Sequence, residues 1–149
     1  MKKLFYLILP LALLAASSAF AAEGAVWSGV ASYGEGVRVV EADFTLDTDG
    51  STFAMEDALV TALSGWSLFY LEIAPDGTTA PTDAYDLVVN NEMDVAKDIL
   101  DGAGANLSDS TSSKLELVWP IIDNLSFVFS NNSVSNAIVH TRMVFYRSY

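Results

Sequence analysis

His140 is the only imidazole of the chain and there is no cysteine, so nucleophilic and metal chemistry have few residues to draw on. The histidine lies between Val139 and Thr141, in a stretch rich in β-branched residues. No serine occupies the glycine-flanked elbow that exposes a hydrolase nucleophile. A Ser–His–Asp set therefore lacks its nucleophile, and His140 reads as a histidine on a strand face. Zinc binding through His and Cys fails for the same reason, which leaves carboxylates as the only ligands on offer.

Carboxylates are abundant, with 19 Asp and Glu. Glycoside hydrolysis needs two of them about 5 Å or about 6.5–9.5 Å apart, and so many acids on one small domain produce such pairs by chance. Asp47-Thr48-Asp49-Gly50 opens like a calcium loop, but that loop wants a third acidic or Asn ligand and then a glycine at its fifth and sixth positions. Ser51 and Thr52 stand there, so Asp47 and Asp49 read as a hairpin turn. Asp94, Asp98 and Asp101 form a second acidic cluster. On a helix Asp94 and Asp98 would share a face and repel, so the cluster is either a solvated face or a cation site. Trp27 falls outside the best-defined strands, and an exposed ring there would stack on a sugar. Trp66 and Trp119 fall on apolar faces, where core packing is the default. No catalytic residue or cofactor is expected. The ligand options are calcium at Asp47, Asp49, Asp94, Asp98 or Asp101, and a glycan at Trp27.

The elements that must position these residues are strands. Val40, Ala42, Phe44 and Leu46 alternate with Glu41, Asp43 and Thr45, the period-two signature of a half-buried strand. It runs into Asp47–Gly50, where Gly50 can take positive φ. Trp66 to Ile73 is apolar on both faces until Glu72, as in a central strand, and stops at Pro75-Asp76-Gly77. Further alternating sets are Tyr85, Leu87 and Val89; Leu115, Leu117 and Trp119; and Leu125, Phe127 and Phe129. Ala137 to Arg147 reads as a central strand, and Trp27–Tyr33 as one more at the start. Two segments stay open. Met55, Ala58, Leu59, Ala62 and Leu63 have helical spacing with Ser64-Gly65 as a stop, yet Phe53, Met55, Leu59 and Leu63 also fit a strand. Residues 93–100 form either one short helix or a short strand pair. Six to eight short strands separated by turns predict an all-β, antiparallel β-sandwich of jelly-roll or immunoglobulin-like topology, with one or two short helices at most.

Residues 1–22 stand apart. Lys2 and Lys3 precede a continuous apolar stretch, and Ser17-Ser18-Ala19-Phe20-Ala21 puts small residues at the positions a signal peptidase reads, the layout of a cleaved signal peptide with its cut after Ala21 or Ala22. The remaining 23–149 then form a single sandwich domain, secreted or held at the cell surface, with no later run long enough to span a membrane as a helix. A terminal aromatic invites comparison with outer-membrane barrels, but counting back from Tyr149 places Arg147 on the lipid-facing register. With both leader lysines set aside, the seven basic side chains fall to five against the same 19 acids, a formal charge of −14. So acidic a surface repels phosphate backbones, which excludes nucleic acid as a direct partner.

The segments Ala80–Leu87 (APTDAYDL) and Asp98–Leu107 (DILDGAGANL) resemble small uncharacterised β-sandwich proteins encoded among tailed-phage structural genes. In those, a strand ending in a Pro/Asp-Gly turn precedes an APTDxYD segment, a Gly/Ala-rich stretch and two closing strands with an apolar–aromatic–Arg tail. Pro75-Asp76-Gly77 and Val144-Phe145-Tyr146-Arg147 match that layout, and the resemblance covers residues 37–147. It implies a non-enzymatic, virion-associated sandwich with no catalytic residues. The leader departs from it, because phage structural proteins assemble in the cytoplasm. The combined expectation is an exported structural protein that contacts itself or other protein subunits, with a secreted glycan- or calcium-binding module as the alternative.

Overall fold

The computed structural model describes residues 23–48, 50–91 and 97–147. The predicted signal peptide therefore lies outside the described residues, as do Asp49 and Asp94. Ten strands and one helix follow in order: β1 (Gly24–Trp27), β2 (Ala31–Ser32), β3 (Val37–Leu46), β4 (Ser51–Ala54), α1 (Asp57–Leu63), β5 (Ser67–Pro75), β6 (Asp86–Asn91), β7 (Lys97–Asp98), β8 (Ser113–Pro120), β9 (Leu125–Ser130) and β10 (Ala137–Tyr146).

Two antiparallel sheets result. The larger runs β1-β3-β10-β5-β8, with β2 also on β3, and the smaller runs β4-β9-β6-β7. The eight strands β3 to β10 pair as a nested hairpin: β3 with β10, β4 with β9, β5 with β8, β6 with β7. That long hairpin is rolled so that β10 also meets β5 and β9 also meets β6. This is jelly-roll connectivity rather than the immunoglobulin-like alternative. It also changes the reading of the 47–50 turn. Strands β3 and β4 lie in different sheets, so the turn crosses the sandwich instead of closing a hairpin. Gly50 has φ +114° there, and a Cβ would stand 3.0 Å from the carbonyl oxygen of Phe129.

The core is the space between the sheets, filled by every second residue of the longer strands. Phe44 of β3 packs on Phe53, Phe127 and Phe129 at ring separations of 5.1–5.3 Å. Burying each such ring is worth roughly 1.5–3 kcal/mol, so this cluster joins the two sheets at their centre. The ambiguous 53–64 segment resolves into both readings in succession. Ser51–Ala54 alternates buried and exposed as a strand, and the helix follows with Leu59 and Leu63 turned inward. Gly65, at φ +79°, ends it. Of the 93–100 segment, Lys97 and Asp98 pair with Asn91 and Asn90, and a turn through Gly102 at φ +80° comes after; the rest lies outside the described residues. No helix among the described residues is long and apolar enough to cross a membrane.

Candidate functional site

The side chains with chemical potential converge on the outer face of the larger sheet. Strand β3 turns Val40, Ala42, Phe44 and Leu46 inward, so Glu41 and Asp43 point out. Strand β10 buries Val139, Thr141 and Met143, so His140, Arg142 and Val144 point out beside them. Strands β5 and β8 add Glu72 and Lys114 on the same face. The antiparallel register sorts these residues into rows that cross the strands.

One row is charged from end to end. Glu41 pairs with Arg142, Arg142 with Glu72, and Glu72 with Lys114. Nε of Arg142 lies 3.8 Å from Oε1 of Glu41, and Nζ of Lys114 lies 3.7 Å from Oε1 of Glu72. Across four strands the signs run minus, plus, minus, plus.

The adjacent row holds His140 between two carboxylates. Its Nδ1 is 2.6 Å from Oδ1 of Asp43, and its Nε2 is 3.3 Å from Oδ2 of Asp76 in the turn after β5. The Asp43 hydrogen bond is the main reason His140 titrates above its ordinary value. Asp76 adds to the effect and partial burial opposes it. Asp76 itself is held well below the usual carboxylate range, first by the Thr79 and Thr78 backbone N–H groups, then by His140 and the Thr79 hydroxyl. The ring thus fastens β10 to β3 and to the 75–79 turn. Its second nitrogen faces a carboxylate rather than a hydroxyl, so it activates no nucleophile. The two aspartates also sit on opposite ring nitrogens and cannot converge with it on one ion. Among the described residues no group of three or more His, Cys, Asp or Glu is arranged to hold a metal.

The other end of the face is mostly apolar. Val39, Val144 and Tyr70 form the next row, which the exposed Glu116 of β8 completes opposite Tyr70. Beyond them a register shift between Leu68 and Tyr70 pushes Phe69 outward as a bulge. The Phe69 ring meets Tyr146 edge-on at 5.0 Å, and Val118 of β8 lies 71% exposed. Among the described residues these three belong to a set of exposed large apolar side chains that also includes Val26, Tyr33, Ile122 and Val134.

The residues singled out in the sequence are mostly elsewhere. Trp27 is not a free stacking surface. Strand β1 pairs with β3, and the half-buried indole lies edge-on to Phe44 at 5.4 Å and to Phe127 at 5.6 Å. Asp47 accepts the Thr48 N–H at the inter-sheet turn. Asp98 spends both carboxylate oxygens on backbone N–H groups, those of Leu100 and Gly102 at 2.9 Å each. Asp101 is exposed at φ +50° in that same turn. The described acids of the two candidate calcium clusters thus serve turns at separate places.

Sequence reading missed Asn132. It is 3% exposed, and its Oδ1 accepts the N–H groups of Thr82 and Val134 while its Nδ2 donates to the carbonyls of Asp47 and Val134. One amide therefore ties the 47–50 turn to the 80–84 loop. A doubled Asn after a strand signals a turn, and nothing in the sequence names its distant partners.

No protein-family model matches the chain, and none of the curated proteins or solved structures compared with it is significantly similar.

Proposed function

We propose that the chain is an exported, non-enzymatic β-sandwich subunit that works through protein–protein contacts in an extracellular or virion-like structure. The observation that carries this reading is the outer face of the larger sheet, where an ordered row of four charges adjoins an exposed Phe69–Tyr146–Val118 patch. An exposed apolar patch bordered by charged residues is a mark of an interaction surface. Export rests on the leader of residues 1–22. The resemblance of residues 37–147 to phage-encoded sandwiches, and the use of jelly rolls in capsid domains, support the structural role by analogy.

Light scattering behind a sizing column, on the chain from residue 23 onward without detergent, tests this. A discrete oligomer is expected. A monomer at all concentrations that binds no surface component would overturn the reading. A monomer gaining several degrees of Tm in millimolar calcium, or retained on a glycan, would put the ligand-binding alternative in its place.

A further inference from the structure

We propose that the outer face of the larger sheet is a self-complementary interface that joins two copies of this chain about a two-fold axis running parallel to the strands, between β5 and β10. The inference rests on the assembly reading of this same face and names the partner as a second copy.

The order of the charges carries the argument. Two identical faces meet through a two-fold axis lying in the plane between them. An axis along the strands reverses the order of the strands in the second copy. The row Glu41, Arg142, Glu72, Lys114 then lies on its own reversal. Arg142 meets Glu72 of the second copy, Glu41 meets its Lys114, and both contacts occur twice. An axis along the row would instead place Glu41 on Glu41 and Arg142 on Arg142, which repels. The alternation therefore selects one axis and penalises the other, as specific interfaces do.

The apolar end of the face selects the same axis independently. Rotation about the strand direction keeps each row at its own height, so Val144 falls on Tyr70 of the second copy, Tyr146 on its Ser67 beside the Phe69 bulge, and Val39 on its Glu116 at the rim. Rotation about the charged row would carry this patch onto the opposite end of the second copy, where His140, Asp43 and Asp76 stand, with Val26 of β1 exposed beside Asp43 at the edge. Two features of different chemistry thus agree on one geometry.

Within one copy the charges are only loosely committed. The exposures are 49% for Arg142, 62% for Glu41 and 63% for Lys114, with Glu72 lower at 28%, and pairs in such positions contribute little to the fold. Four strands of nine or so residues present roughly 600 Å² per copy at ordinary strand spacing and rise. That is at the low end for a stable dimer, so association in the micromolar range is expected.

The test mixes two variants, R142E and E72R. Alone, each places like charges in contact twice per dimer, and self-association should weaken at least tenfold relative to the unaltered chain in sedimentation velocity. Mixed in equal amounts, they restore both contacts, and dimer should return to within about threefold of the unaltered chain. A defect in folding would not be repaired by mixing. K114E with E41K, at the rim, provides the same test should either central variant fail to fold. Variants that self-associate as well as the unaltered chain, or a mixture no better than its parts, would overturn the proposal while leaving assembly through another surface standing. An unaltered chain that stays monomeric at every concentration would overturn both.

Discussion

Arg142 and Glu72 stand directly opposite each other in the β10–β5 ladder, yet each has its ion-pair partner on the far side. Arg142 leans 3.8 Å from Glu41 on β3, and Glu72 lies 3.7 Å from Lys114 on β8. The two strands at the centre of the larger sheet therefore carry opposite charges that are not spent on one another. A face built in this way is ordered in sign without being closed in on itself, and the functional reading follows from that arrangement.

The exposed aromatics should matter for association more than for folding. Phe69 is 42% exposed and touches Tyr146, so F69S should weaken self-association about tenfold, as loss of an aromatic anchor does. Its unfolding free energy should fall by only about 1 kcal/mol, the scale of one lost aromatic pair. Sedimentation velocity and urea unfolding of the same preparation separate the two effects.

The pH dependence of stability has a window set by His140 and Asp76. His140 titrates above its ordinary 6.5, so its contribution is complete below that pH and is lost as pH rises through the raised value. Asp76 lies below its ordinary 3.8, so its contribution is complete above that pH and is lost as pH falls. Both are in place between about pH 4 and pH 6.5. Raising the pH from 5 to 8.5 should therefore lower Tm more in the unaltered chain than in H140Q. Parallel Tm curves for the two proteins would refute the assignment. Glu41 and Arg142, also on this face, are present in both proteins and cancel in the comparison.

Asn132 should be costly to replace. Removing its amide leaves the Thr82 and Val134 N–H groups and the Asp47 carbonyl without their partner in a buried position. N132A should lose about 2–3 kcal/mol of unfolding free energy in urea. A loss under about 0.5 kcal/mol would mean that the 47–50 turn and the 80–84 loop are held together by other contacts.

Gly104 is constrained by its neighbour rather than by its dihedral angles. Its carbonyl accepts the Leu87 N–H at 2.8 Å. A Cβ would be driven into the Leu87 carbonyl oxygen and would come to 3.0 Å from Leu100 Cδ1. G104A should cost roughly 3 kcal/mol, the scale of overpacking against a backbone that cannot retreat, and should show it as a lower urea midpoint.

The strands were legible wherever one face meets the core and the other meets water. The alternation of Val40 to Leu46 or of Leu125 to Phe129 is the direct imprint of that division. The 53–64 segment resisted because a strand and a helix follow each other within it, and each left its own period. Trp27 misled because an edge strand of four residues gives too short a pattern to show that its ring enters the Phe44 cluster. The candidate site was not legible at all. Asp43 and His140 are 97 residues apart and Asp76 and His140 are 64 apart. The sign order of the charged row exists only after four strands from distant parts of the chain take their register.

The most direct test of the account is a dilution series of the unaltered chain from residue 23 onward, followed by two-dimensional NMR. Concentration-dependent shifts should cluster on 39–43, 69–74, 114–118 and 142–146, with little movement on 86–91 and 125–130 of the smaller sheet. Shifts confined to the smaller sheet or to strand edges, or none at millimolar concentration, would contradict the claim that this protein works through the outer face of its larger sheet.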